Sequence, residues 1–284
     1  MDSLVTADWL SQHLDDPDLV VLDCSVTTLS EDDGSYHNVS GLAEYNKGHI
    51  PTAGFADLKG DLCDGSSPIE FALPTPEQFC AAMGALGVGD DSRVVLYDTS
   101  YSAWAARVWW MLRWVGFDHA ALLDGGLKAW IDEERALSTE PASRPTKQLT
   151  ASPRPELIAD RDEVLANIDD HHARLIDTLP EAYYRGEASL YSRPGHIPGA
   201  ANICALDLLD ESGHFKSKRE LAAMHPQDHN VRAITYCGGG IMASASAFIM
   251  TRLGFTDVAV YTASLQEWTT DPSNPMVSDI NQNS

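Results

Sequence analysis

The sequence predicts an α/β protein written twice, each copy a parallel sheet covered by helices. Two observations predict it. Short apolar runs alternate with amphipathic stretches, the pattern of strand–helix–strand units. The same signatures also occur twice, in the same order. Gly48-His49-Ile50-Pro51-Thr52-Ala53 returns as Gly195-His196-Ile197-Pro198-Gly199-Ala200. Val94-Val95-Leu96-Tyr97-Asp98 returns as Ala233-Ile234-Thr235-Tyr236-Cys237. Leu112-Arg113-Trp114-Val115-Gly116-Phe117 is matched by Met250-Thr251-Arg252-Leu253-Gly254-Phe255, and Leu127-Lys128-Ala129-Trp130 by Leu265-Gln266-Glu267-Trp268. The spacing between partners drifts slightly, which places length changes in loops.

In the first copy, the apolar runs at 19–22, 94–97 and 120–123 predict buried strands. The stretches 75–86 and 103–115 predict helices, the first opened by Pro76 where a missing N–H costs nothing. In the second copy, strands are expected at 175–177, 233–236 and 258–261, and helices at 218–224 and 241–253. Residues 139–155 carry Pro141, Pro145, Pro153 and Pro155 among Ser and Thr and read as a linker. The expected organisation is a domain at 1–138, the linker at 139–155 and a second domain at 156–284.

Composition narrows the function. The 284 residues include 42 acidic and 19 basic side chains, a formal net charge of −23. Nucleic acid and anionic membranes are therefore not expected partners. The acidic start of the chain, residues 1–9, does not read as a secretory signal, and no run suggests a membrane span. Cys24, Cys63, Cys80, Cys204 and Cys237 are odd in number and lack CxxC spacing. That argues against a disulfide framework or a cysteine zinc site, and a cytoplasmic protein is expected.

Cys237 is the residue that carries chemistry. It ends an apolar run and is followed by Gly238-Gly239-Gly240, then by the expected helix starting at Ile241-Met242. Glycines let backbone N–H groups crowd a central atom with no Cβ in the way. The helix behind adds the positive end of its dipole. Both favour a negatively charged sulfur, so the loop Gly238–Met242 is expected to cradle an activated nucleophile. The matching position in the first copy is Asp98, which cannot carry a transferable sulfur and is expected to cap the following helix or support the domain interface. Cysteine phosphatases place an Arg six residues after the nucleophile; here that residue is Ala243, which argues against phosphate chemistry.

The paired Gly-His-Ile-Pro signatures, Trp109-Trp110-Met111-Leu112-Arg113, Leu123-Asp124-Gly125-Gly126 and the cysteine loop together resemble the rhodanese superfamily in its tandem sulfurtransferase form. The resemblance covers nearly the whole chain. It implies two domains, each with a parallel five-stranded sheet, of which only the second is catalytic. It implies a Cys237 persulfide loaded from a small anionic donor and unloaded to cyanide or a thiol, with no metal or organic cofactor. It also implies donor-binding roles for Arg185, in Tyr184-Arg185-Gly186, and for Arg193, in Ser192-Arg193-Pro194-Gly195.

The expected donor is thiosulfate, with 3-mercaptopyruvate the alternative. Family loops for thiosulfate often place basic residues after the Cys, and loops for mercaptopyruvate usually read Gly, Ser or Thr, Gly. Gly238-Gly239-Gly240 matches neither fully, and Phe71 stands near the place of a family relay His. His49 and His196 are read as turn residues, and Asp177 as a strand-end support. A different class, a sulfur-trafficking scaffold with little turnover, would not need the glycine cradle.

Overall fold

The computed structural model describes residues 1–31 and 36–280. The chain divides into two compact units. The first comprises Met1–Ser67, Phe71–Arg154 and Glu211–His214; the second comprises Pro68–Glu70, Pro155–Asp210 and Phe215–Ser284.

The first unit holds β1 (Leu4–Val5), β2 (Leu19–Asp23), β3 (Val26–Ser30), β4 (Tyr36–Ser40), β5 (Gly54–Phe55), β6 (Arg93–Tyr97) and β7 (Ala120–Leu123). Its five-stranded sheet runs β1-β7-β6-β2-β5, with every pairing parallel. Strands β2 and β7 are buried at every residue, as a sheet covered on both faces requires. β3 and β4 form a separate antiparallel pair. The helix expected at 75–86 spans Pro76–Ala85. Thr75 and Gln78 close a capping box at its start, satisfying two orphan backbone donors. Val5, Leu10, Leu19, Val21, Ile50, Val95 and Trp130 meet in one buried cluster, where burying each large apolar side chain contributes about 1.5–3 kcal/mol.

The second unit holds β8 (Ile158–Ala159), β9 (Arg174–Asp177), β10 (Ala201–Asn202), β11 (Ala233–Tyr236) and β12 (Val258–Tyr261). Its sheet runs β10-β9-β11-β12-β8, again all parallel. Read from the other edge this is the first sheet strand for strand, so the duplication in sequence is a duplication of topology. The Ile241–Leu253 helix packs on β11 and β12. Its run Ala243-Ser244-Ala245-Ser246-Ala247 is buried throughout, because small side chains let the helix lie close to the sheet.

The Gly-His-Ile-Pro segments act structurally in both units. His196 stacks on Tyr184 with ring centroids 3.7 Å apart, and its Nδ1 lies 2.7 Å from the Tyr184 carbonyl. His49 stacks on Tyr45 at 3.9 Å in the same way, with Nδ1 2.9 Å from the Tyr45 carbonyl. The next residue donates its N–H to the tyrosine that ends the central strand: Ile197 to Tyr236 Oη at 3.0 Å, and Ile50 to Tyr97 Oη at 3.2 Å. No helix among the described residues is long and apolar enough to cross a membrane.

Candidate active site

Cys237 sits where β11 ends, one residue beyond Tyr236, and is 2% exposed. The Gly240 N–H donates to Cys237 Sγ at 3.1 Å. Gly240 is the N-cap of the Ile241–Leu253 helix and has φ of +81°, a conformation only glycine adopts without strain. The sulfur therefore faces an amide at the positive end of a thirteen-residue helix. Two further bonds fix the helix start. Thr235 donates from Oγ1 to the Ala243 carbonyl at 3.0 Å, and Ser244 from Oγ to the Gly240 carbonyl at 2.7 Å.

The backbone of the loop is tied to a second segment. Cys237 donates its N–H to Ser264 Oγ at 3.1 Å, and the Ser264 hydroxyl in turn donates to the Tyr261 carbonyl at 2.6 Å. Leu265 donates its N–H to the Cys237 carbonyl at 3.1 Å, and Gln266 to the Gly238 carbonyl at 2.9 Å. Gln266 also exchanges two bonds with the Glu70 backbone, at 3.2 and 3.3 Å.

The three glycines differ in what surrounds them. A Cβ at Gly238 would lie 3.0 Å from Tyr191 Oη. A Cβ at Gly239 would meet nothing nearer than the Glu70 carbonyl oxygen at 4.0 Å. The loop thus has one tight side, at Tyr191, and one open side, at Gly239.

The first unit shows what the same corner does without a thiol. Asp98 Oδ1 accepts the N–H groups of Ser100 at 2.9 Å and Ser102 at 3.1 Å, and Oδ2 accepts that of Ala105 at 2.9 Å. Asp98 is buried, and burial pushes its carboxyl up against those backbone donors, which favour the ion. This is the capping role expected of it. The loop from Asp98 reaches its helix at Ala103, whereas that from Cys237 reaches its helix at Ile241, one residue sooner. The shorter loop accounts for the one-residue step in repeat spacing beyond this corner, from 139 at Asp98 and Cys237 to 138 at Leu112 and Met250. In both units a strand-end corner collects amide donors; one fills it with a fixed carboxylate, the other leaves it to a sulfur.

Burial raises the other thiols; at Cys204 it does so against the Leu206 and Asp207 backbone N–H groups, which favour the thiolate. Burial pushes the Cys24 thiol well above its ordinary range and the Cys80 thiol up to about 11.

The two arginines are engaged elsewhere. Arg185, half exposed, pairs through Nη2 with Glu181 Oε1 at 2.5 Å. Arg193 donates from Nη1 to the Asp271 carbonyl at 3.0 Å. Arg185 also faces Asp279, at 4.0 Å, and neither arginine has a hydrogen bond to the cysteine loop. Sequence reasoning also missed Ser264, Gln266 and Tyr191. Only Ser264 left a signal: it occupies the repeat position of Gly126. Both residues have left-handed φ, +52° and +58°.

The family model of the rhodanese-like domain matches this chain twice, at residues 6–133 and 160–271. The chain belongs to the rhodanese family. The second rhodanese match contains the whole Cys237 loop, and the first contains Asp98. A 3-mercaptopyruvate sulfurtransferase of Escherichia coli is 34% identical over 271 residues, covering 93% of this chain and 94% of that protein. A thiosulfate sulfurtransferase of Gallus gallus is 32% identical over 276 residues, covering 94% and 93%. The crystal structure of SseA, a 3-mercaptopyruvate sulfotransferase of Escherichia coli, superposes with a TM-score of 0.82 at 32% identity and covers 93% of this chain and 99% of that one. The protein is a sulfurtransferase of the rhodanese type.

Proposed function

We propose that this rhodanese moves the sulfur of 3-mercaptopyruvate to a thiol acceptor or cyanide through a persulfide on Cys237. The observation that carries the reading is the Gly240 N–H directed at Cys237 Sγ, at a helix N-terminus, beside an open position at Gly239. A thiolate there meets a fixed dipole, and a second sulfur has room above Gly239. The loop carries no basic side chain from Gly238 to Met242, which favours mercaptopyruvate over thiosulfate within the family pattern. The 34% identical mercaptopyruvate enzyme of Escherichia coli supports the same choice.

In this account Cys237 attacks the donor sulfur and the organic product leaves. The negative outer sulfur then rests against the loop amides of Gly238–Met242, on the logic of a preorganised anion hole. An acceptor thiol takes that sulfur in a second half-reaction, giving a ping-pong cycle. Arg185 and Arg193 hold the donor carboxylate once they exchange their present partners for it, since a guanidinium pairs with carboxylates bidentately. The proposed domains are residues 1–138 and 156–284, joined by 139–155, with catalysis confined to the second.

Thiosulfate is the second reading. It is favoured by the absence of a side-chain hydroxyl at Gly239, where the mercaptopyruvate pattern has Ser or Thr. Side-by-side kcat/KM values for the two donors decide between them. A higher value for thiosulfate overturns the first reading.

A further inference from the structure

The reaction with mercaptopyruvate needs something that the Cys237 loop does not supply. Breaking the donor's C–S bond leaves an electron pair on the organic fragment, as an enolate. That enolate needs a proton. The loop is three glycines, so its side chains offer none. Gly239 has no hydroxyl.

Tyr191 brings one to the same place. Its Oη lies 3.0 Å from where a Gly238 Cβ would stand, and its Cε2 lies 3.6 Å from that point. The residue is held there from both sides. The Ser189 hydroxyl donates to the Tyr191 carbonyl at 2.7 Å and accepts the Tyr191 N–H at 3.3 Å. On the other side, Ser192 donates from Oγ to the Thr269 carbonyl at 3.5 Å. Gly238 is thus the residue that makes room for the phenol: any side chain at 238 would crowd it.

We propose that the Tyr191 hydroxyl is a catalytic acid of the first half-reaction, protonating the enolate that leaves when Cys237 takes sulfur from 3-mercaptopyruvate. The role rests on the donor reading given above. Burial holds the phenol above its ordinary range, and the groups whose charge faces it, Cys237 and Glu70, push the same way. A tyrosine so placed keeps its proton near neutral pH and gives it only to a strong base, which a nascent enolate is.

The step balances. Cys237 thiolate attacks the donor sulfur, forming the S–S bond and breaking the C–S bond. The donor sulfur is oxidised to the sulfane level, and the carbon it leaves is reduced by the same electron pair. Tyr191 gives its proton to the enolate, yielding pyruvate. The tyrosinate then takes the thiol proton that the donor sulfur sheds as it becomes the negative end of the persulfide. No other reactant is needed. With thiosulfate, sulfite leaves as a stable anion and no proton is called for, so the two donors separate the role of the phenol from any role in shaping the loop.

The test is single-turnover loading of Cys237 in wild-type protein and Tyr191→Phe, with each donor in turn and intact mass as the readout. The ratio of the mercaptopyruvate rate to the thiosulfate rate should fall by roughly 100-fold in Tyr191→Phe, the ordinary worth of a positioned acid. Continued loading from thiosulfate shows that the variant is folded. An unchanged ratio, whether both rates hold or both fall together, overturns the proposal. Wild-type protein that loads from thiosulfate but not from mercaptopyruvate overturns the donor reading instead, and the acid role with it.

Discussion

Ser264 accepts the backbone N–H of Cys237 at 3.1 Å while holding a left-handed φ of +52°. A non-glycine residue in that region is strained, at a cost of about 1–3 kcal/mol, and persists only where its surroundings enforce it. The enforcing contacts are its two hydrogen bonds, to Cys237 and to the Tyr261 carbonyl. The strain is spent at the nucleophile, where it fixes the strand end that presents the thiol.

Two substitutions at Ser264 separate the strain from the bond. Ser264→Ala keeps the strain and leaves the buried Cys237 N–H without its acceptor, which costs about 1–3 kcal/mol. Ser264→Gly loses the same bond but relieves the strain. Chemical denaturation should therefore find Ser264→Gly more stable than Ser264→Ala, and Ser264→Ala less stable than wild type. A Gly variant less stable than the Ala variant contradicts the account of the loop.

The glycines are not interchangeable. Gly239→Ala places its methyl in open space, with the nearest atom 4.0 Å away, and should leave stability unchanged. Gly238→Ala brings its methyl within 3.0 Å of Tyr191 Oη, so the phenol must give way. Sulfur loading from mercaptopyruvate should slow more in Gly238→Ala than loading from thiosulfate does. Equal slowing with both donors would mean that the methyl disturbs Cys237 itself.

Asp177 makes the fold of the second unit sensitive to pH. Burial pushes its carboxyl up to about 7, against the Leu179 N–H and the Tyr236 hydroxyl, which favour the ion. A carboxyl with a higher pKa folded than unfolded binds its proton more tightly in the folded state. Its contribution is favourable at low pH and is lost as pH rises from the ordinary carboxylate range to about 7. The loss is at most about 1.4 kcal/mol per pH unit. The stability of Asp177→Asn minus that of wild type should thus climb between about pH 4 and about pH 7 and level off above. Denaturation curves across that range check it, and a flat or falling difference contradicts it.

Much of this was legible in the sequence, for local reasons. The long strands and the main helices declare themselves by apolar runs, Pro76 and the repeats. The two-residue strands β1, β5, β8 and β10 do not, because a pair of residues has no periodicity; they become strands by pairing with a longer neighbour. The β3–β4 pair was also unread, since its burial is mostly one residue deep. Cys237 was legible because glycines and a helix start lie next to it in the chain. Tyr191 and Ser264 reach it from elsewhere in the chain, and nothing in their own neighbourhoods marks that contact. Arg185 and Arg193 were visible as cations, but their present partners, Glu181 and the Asp271 carbonyl, were not.

The central claim is that Cys237 carries the transferred sulfur. Intact mass after incubation with mercaptopyruvate or thiosulfate, without acceptor, tests it directly. Wild-type protein should gain the mass of one sulfur atom and lose it again on adding cyanide, and Cys237→Ser should gain nothing. A sulfur adduct on Cys237→Ser, or none on wild type with either donor, contradicts the account.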